Sequence, residues 1–234
     1  MAQLYAGASG FAYPTWKPRF YPAKLASKKF LEYYATRLNA VEINYTFRRL
    51  PAPGTLQNWI EATPGTFLMA PKANQRITHI RRLNDVAEPL EVFLKSIDPL
   101  RIAHRLGPIL FQLPPNLKAD PALLEAFLKL LPADVRFSME FRHVSWLTPQ
   151  TFEMLGNHGV ALCVAESEKL EVPDIATADF AYYRLRKEAY SEKECATIEA
   201  RSRDLVASGK DVFLFFKHEE TPDGALYAER MLAP

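Results

Sequence analysis

Short runs of β-branched, aromatic and aliphatic residues recur along the chain, each closed off by Gly, Pro or charge, at 4–8, 40–44, 66–72, 109–113, 136–142, 160–164, 180–185 and 211–216. They predict eight strands. Helical patterns with recognisable starts lie between most of them. Ser27 precedes an apolar face of Phe30, Leu31, Tyr34 and Leu38, and Asp120-Pro121 sets a cap and a first-turn proline before Leu123, Leu124, Phe127 and Leu128. Thr148-Pro149 does the same before Phe152 and Leu155, while Ser191 with Glu194 fits a capping box whose helix stops at Gly209.

Eight strands alternating with helices predict an α/β chain folded as a closed parallel TIM-like (β/α)₈ barrel rather than an open doubly wound sheet. The stretch 165–179 carries Pro173 and a mixed pattern, so the sixth crossover is expected to be irregular. The 234 residues, 48% hydrophobic and 24% charged, supply one substantial core and exclude disorder. No Gly/Ser-rich linker interrupts them, and one barrel domain over 1–234 is expected.

Nowhere do about 18 apolar residues follow one another, and no basic and apolar leader opens the chain, so a cytoplasmic protein without a membrane partner is expected. Cys163 and Cys195 are far apart and read as core thiols. With 29 basic against 27 acidic residues the net charge is +2, so attraction for phosphate must come from a local cluster.

Strand alternation finds that cluster. In Val41-Glu42-Ile43-Asn44 the apolar pair takes the helix side and leaves Glu42 and Asn44 inward; in 137–142 the same logic sends Glu140 and Arg142 inward. Lys72, Gln112, Arg184 and Lys217-His218 stand at or near other strand ends. All are at carboxyl ends, where barrel enzymes assemble their sites. Several charges at one barrel end must be neutralised mutually or by a ligand, because an unpaired buried charge costs roughly 3–5 kcal/mol.

Gly7-Ala8-Ser9-Gly10-Phe11 with Trp16 and Phe20-Tyr21-Pro22, then Val41-Glu42-Ile43-Asn44-Tyr45-Thr46-Phe47, Trp59, Lys72 with Thr78-His79, Gln112-Leu113-Pro114-Pro115 and Glu140-Phe141-Arg142-His143 with Ser145-Trp146 resemble the domain of unknown function 72 family, also called YecE-like. The resemblance spans most of the chain and implies a TIM-like barrel in a bacterial or archaeal cytoplasm, with no activity attached. Proposals for that family lean on a barrel shared with apurinic endonucleases, which is fold-level analogy. The chain departs from the pattern at Val164-Ala165, where relatives often carry aspartate, at Arg184-Leu185-Arg186-Lys187 in place of a His-Gly ending, and at Lys217-His218 in place of an Asn pair.

Two chemistries follow. In one, an anionic, phosphate-bearing ligand is held by Asn44, Lys72, Gln112, Arg142, Arg184 and Lys217 with Trp16 and Tyr45, and a metal-independent hydrolase or lyase uses Glu42 or Glu140 as base and His143 as acid. In the other, a noncatalytic protein holds single-stranded nucleic acid on Tyr13, Trp16, Tyr45, Phe47, Trp146 and Tyr190 beside the same cations. A metal-dependent phosphodiesterase is disfavoured because Lys72, Arg142 and Arg184 interleave the potential ligands Glu42, Glu140, His143 and His218. The pattern specifies no cofactor. The bland alternatives remain open: salt bridges for the glutamates, a rim cap for His143, solvated loop charge for Arg81 and Arg82 near His79, and aromatics that only close the barrel. Lys72 as a Schiff-base nucleophile is disfavoured, since nothing in the sequence shows it desolvated away from carboxylates.

Overall fold

Among residues 1–217 and 219–233, which the computed structural model describes, eight strands run parallel: β1 Leu4–Ala8, β2 Ala40–Ile43, β3 Leu68–Pro71, β4 Ile109–Gln112, β5 Phe137–Glu140, β6 Ala161–Ala165, β7 Phe180–Leu185 and β8 Asp211–Phe216. Six form a curled sheet in the order β1-β8-β7-β6-β5-β4, and β2 pairs with β3. The β2–β3 pair fills the gap between the ends of that sheet. On one side Met69 N donates to Arg105 O and Gly107 N to Met69 O (2.8 Å each), and Ala73 N to Leu110 O (2.9 Å).

On the other side, side chains replace the ladder. Asn39 accepts from Ala6 N (2.9 Å) and donates to Leu4 O (2.8 Å), while the Tyr34 hydroxyl accepts from Ala8 N (2.7 Å) and donates to Ala40 O (3.0 Å). β1 and β2 touch so closely at Gly7 that a Cβ there would lie 1.9 Å from Ala40 O. The result is the expected TIM-like barrel.

Period-two alternation sorts the strand side chains. Ala40, Ala70, Leu110, Ala161, Cys163, Phe180, Tyr182, Phe213 and Phe215 pack together inside, and the opposite parity packs under the helices. The covering helices are α1 Phe30–Tyr34, α2 Tyr45–Arg48, α3 Pro53–Glu61, α4 Ala87–Ile102, α5 Pro121–Leu128, α6 Pro149–Asn157, α7 Glu192–Ala207 and α8 Asp223–Leu232. The caps work as the sequence implies: Asp120 accepts from Leu123 N (3.0 Å), Thr148 from Thr151 N (3.2 Å), and Ser191 and Glu194 complete their box. None of the described helices is long and apolar enough to cross a membrane.

The sixth crossover, 166–179, contains no helix. Thr177 stands in for helical bonding, its hydroxyl donating to Val160 O (2.7 Å) and accepting from Leu162 N (2.8 Å). Strands β2, β3, β4 and β5 are shorter than the pattern predicts, β2 and β4 by a single residue. β3 ends at Pro71, with Lys72 continuing only as a bridge to Leu110. β5 stops at Glu140 because the chain turns outward there: Phe141 stacks on Trp146, ring centroids 5.0 Å apart, over a single 3₁₀ turn.

Candidate functional site

The polar residues of the inward parity meet at the carboxyl end of the barrel, on the hydrophobic interior. Arg184 on β7 lies between the two glutamates, its Nη2 donating to Glu42 Oε1 (2.7 Å) and its Nη1 to Glu140 Oε2 (2.5 Å). All three side chains are essentially inaccessible. Glu42 also accepts from Ser9 Oγ and from the Tyr182 hydroxyl (2.8 Å each), and Glu140 from Gln112 Nε2 (2.9 Å) and Arg186 Nη2 (3.0 and 3.1 Å). Every carboxylate oxygen has a donor, as buried charge requires.

This geometry ties both glutamates to arginines as counter-ions, the salt-bridge alternative to the base role that the sequence also offers either of them. Burial alone would raise the Glu140 carboxyl, but Arg184, Arg186 and the Gln112 hydrogen bond outweigh it and hold it at about 2. A carboxylate so weakly basic is a poor proton acceptor. Arg184 titrates well above its ordinary range: burial works against its charge, and the two glutamates more than offset that. Tyr182 is pushed up by burial and by Glu42, so its hydroxyl stays a donor.

Lys72 stands apart from these pairs. Its Nζ donates to Gln112 Oε1 (2.7 Å) and lies 4.2 Å from the centre of the Phe47 ring, and among the described residues it forms no ion pair. Burial pushes its ammonium down to about 8, Arg184 and Arg186 act in the same direction, and Glu140 and Glu42 oppose them. The desolvation that the sequence does not disclose is therefore present. Gln112 fixes the amine in turn, being held by Glu140.

The loop after β3 adds an imidazole beside these groups. Arg76–Ile80 forms a single π-helical turn, and Arg82, Leu83 and Asp85 adopt left-handed backbone conformations. Such strain in non-glycine residues persists only where surroundings enforce it. Arg82 is tied to Asn116 by Nη1 to Oδ1 (3.1 Å) and Nη2 to the carbonyl (2.9 Å). This loop sets His79 edge-on to Phe47, ring centroids 4.9 Å apart, with Nδ1 2.9 Å from Thr78 Oγ1. Burial lowers its pKa below 6.5, helped by Lys72, Arg142 and Arg82 and opposed by Glu140.

The other predicted residues spread around the rim. Arg142 is exposed rather than inward, since β5 ends before it and alternation no longer applies. Asn44 likewise lies past its strand, its amide 3.5 Å from Ser9 O. His143 caps the 3₁₀ turn, Nδ1 accepting from Ser145 N (3.2 Å) and lying 2.8 Å from Ser145 Oγ, which places it in the capping role. Lys217 is exposed and 3.7 Å from Glu219; His218 is outside the described residues.

Trp16 is fully buried among Tyr13, Phe20 and Tyr21, and Trp146 is buried with Nε1 donating to Leu117 O (2.8 Å). Neither is available to stack on a ligand. Tyr190 is also buried, donating to Glu166, whose carboxylate accepts from Arg186 N (2.6 Å) and Lys187 N (3.3 Å). Tyr45, 45% exposed, remains at the surface with its ring edge-on to Trp59.

Ser9, Glu166, Tyr182 and Arg186 complete the site without having been assigned a role there from sequence, and Phe47, expected as a stacking aromatic, instead covers Lys72. Tyr182 shares the inward parity of Arg184, which is the one signal that marks it.

Comparison with other proteins places the chain in a family. The curated UPF0759 protein YunF of Bacillus subtilis is 24% identical over 266 residues, covering 98% of this chain and 93% of YunF. A DUF72 family protein of Thermotoga maritima superposes with a TM-score of 0.87 at 30% identity, covering 98% of this chain and 97% of that one. A DUF72 family protein of Enterococcus faecalis shares the fold, with a TM-score of 0.82 at 18% identity over 98% of this chain and 95% of its own. The family model described as protein of unknown function DUF72 matches residues 5–233, and the chain belongs to that family.

Proposed function

We propose that the carboxyl-end mouth binds a small anionic, phosphate-bearing molecule in the sector bounded by Lys72, His79 and Arg142. The observation that carries this reading is the charge left over in the buried network. Glu42 and Glu140 are matched by Arg184 and Arg186, whereas Lys72 has no carboxylate against it. Its protonated form is an uncompensated cation in a desolvated place, and an anion entering there gains from low local dielectric. Arg142, exposed on the rim, extends the same sign of potential outward, while His79, whose pKa burial lowers, stands beside it as an uncharged ring near neutrality.

The single-stranded nucleic acid alternative is less well supported, because Trp16, Trp146 and Tyr190 are enclosed and a stacking platform needs open ring faces. The distinguishing experiment is thermal denaturation with inorganic phosphate and with a short oligothymidylate. Phosphate at a hundredfold excess over its Kd is expected to stabilise by about 2.7 kcal/mol. Arg142→Ala and Lys72→Met should each reduce that shift, and the oligonucleotide should give none. A phosphate shift unchanged in both variants, or stabilisation by the oligonucleotide alone, refutes the reading.

A further inference from the structure

Resting on that anion-binding reading, we propose that Lys72 Nζ is a nucleophile that condenses with the carbonyl group of a small phosphate-bearing aldehyde or ketone, the phosphate lying outward toward Arg142. A lysine becomes a nucleophile near neutrality when it is desolvated or set beside another cation. Both conditions hold here: Lys72 is 9% exposed, and Arg184 works against its charge. Burial is the largest influence on its charge; Arg184 and Arg186 from the β7 side act with it, and Glu140 and Glu42, which are themselves bound to those arginines, act against it.

The geometry is fixed rather than adaptable. Lys72 follows β3 directly, and its backbone N–H donates to Ile43 O (3.0 Å). Nζ is held from one side by Gln112 Oε1, and Phe47 covers another. Gln112 cannot swing away without releasing Glu140, nor Glu140 without releasing Arg184. The amide oxygen accepts an N–H of the amine and leaves the nitrogen lone pair for the substrate.

The step balances without a further reactant. The ammonium first releases one proton. The lone pair of Nζ then forms a bond to the carbonyl carbon, the C=O π pair moves to oxygen, and a proton passes from nitrogen to oxygen to give a carbinolamine. The released proton returns to that oxygen, the C–O bond breaks, water leaves, and a protonated imine remains on Lys72. The imine withdraws electrons from the neighbouring carbon, which suits lyase chemistry rather than hydrolysis, the two classes expected from the sequence. Water re-entering reverses the sequence and frees the lysine.

The test treats the full-length protein with dihydroxyacetone phosphate and borohydride at pH 7.5, followed by peptide mapping by mass spectrometry. Reduction turns the imine into a stable secondary amine on the lysine that formed it. An amine with a pKa of about 8 has roughly a two-hundredfold larger unprotonated fraction at this pH than an exposed lysine. Lys72 is expected to be labelled at least tenfold faster than exposed Lys95, with the preference reduced when hydroxyacetone replaces the phosphate ester. Lys72→Arg should remove the label, whereas Lys95→Arg, at an exposed lysine away from the site, should leave both the label on Lys72 and the thermal stabilisation by inorganic phosphate unchanged. Labelling of Lys72 no faster than Lys95 while phosphate still stabilises overturns the covalent step alone. Loss of phosphate stabilisation in the unmodified protein overturns the anion site, and labelling of Lys72 equally by hydroxyacetone removes phosphate from the substrate class.

Discussion

Replacing Glu140 by Gln probes the buried network, because the substitution keeps the shape, removes the charge and turns one of two accepting oxygens into a donor facing other donors. The carboxyl moves from an ordinary 4.5 to about 2 on folding, against the desolvation that burial imposes and because Arg184 and Arg186 favour the anion. The folded-state value is the lower one, so the stabilisation is fully present above the unfolded value and is lost as pH falls through the folded one. At 1.36 kcal/mol per unit the ionised form contributes about 3 kcal/mol at pH 7 and about 1.4 kcal/mol at pH 3. In a chain of this size a loss of about 3 kcal/mol lowers Tm by roughly 6–12 °C.

The assay is urea denaturation of the native chain and Glu140→Gln at pH 7, 5.5, 4 and 3.5, with far-ultraviolet circular dichroism as the probe. The gap should stay constant between pH 7 and 5.5 and shrink by roughly 1 kcal/mol or more on approaching pH 3.5. A gap below about 0.5 kcal/mol at pH 7, the range of an ordinary surface substitution, refutes the assignment of Glu140 as the obligatory counter-ion. So does a large gap that ignores pH, which would arise from packing instead.

Lys72 has the opposite sign: its folded pKa of about 8 lies below the ordinary 10.5, so its charge opposes folding below pH 8 and the penalty disappears above 10.5. Relative to Lys72→Met, the native chain should therefore gain about 3 kcal/mol between pH 7 and pH 11, measurable by urea denaturation across that range. Tyr34→Phe removes the hydroxyl that serves both Ala8 N and Ala40 O at the β1–β2 seam, and should cost about 1–3 kcal/mol in the same assay. Gly7→Ala drives a Cβ against the Ala40 carbonyl, an immovable backbone atom, and should destabilise by about 3 kcal/mol; a neutral result would mean the two strands do not meet there.

How much of the site can be read in the sequence depends on whether strand parity still applies at each residue. Glu42, Gln112, Glu140 and Arg184 lie within strands, so their inward direction follows from apolar neighbours at the opposite parity. Asn44 and Arg142 lie one or two residues beyond a strand, where the chain turns and parity carries no information. Trp16 looks like a rim aromatic from its place after β1, but Phe20 and Tyr21 enclose it through contacts that no periodicity expresses. Which cation meets which carboxylate is set by register across the barrel: Gln112 stands beside Glu140 and Ala165 beside Arg184, while Lys72 bridges to Leu110. Composition contains none of those offsets, so the isolation of Lys72 from the glutamates emerges only in three dimensions.

The division of labour between the two kinds of cation follows from their chemistry. A guanidinium is planar, permanently charged and able to serve two carboxylates at once, as Arg184 does between Glu42 and Glu140. With Arg186 also on Glu140, the glutamates need nothing from Lys72, and the amine is left to a neutral acceptor. Were Arg184 a lysine, its single ammonium could not span both carboxylates with the same geometry, and Lys72 would be drawn into the ion pairs with its proton held firmly. The arginines therefore neutralise the glutamates at the barrel end and leave one nearby amine, lowered to about 8 chiefly by burial, without a carboxylate partner among the described residues.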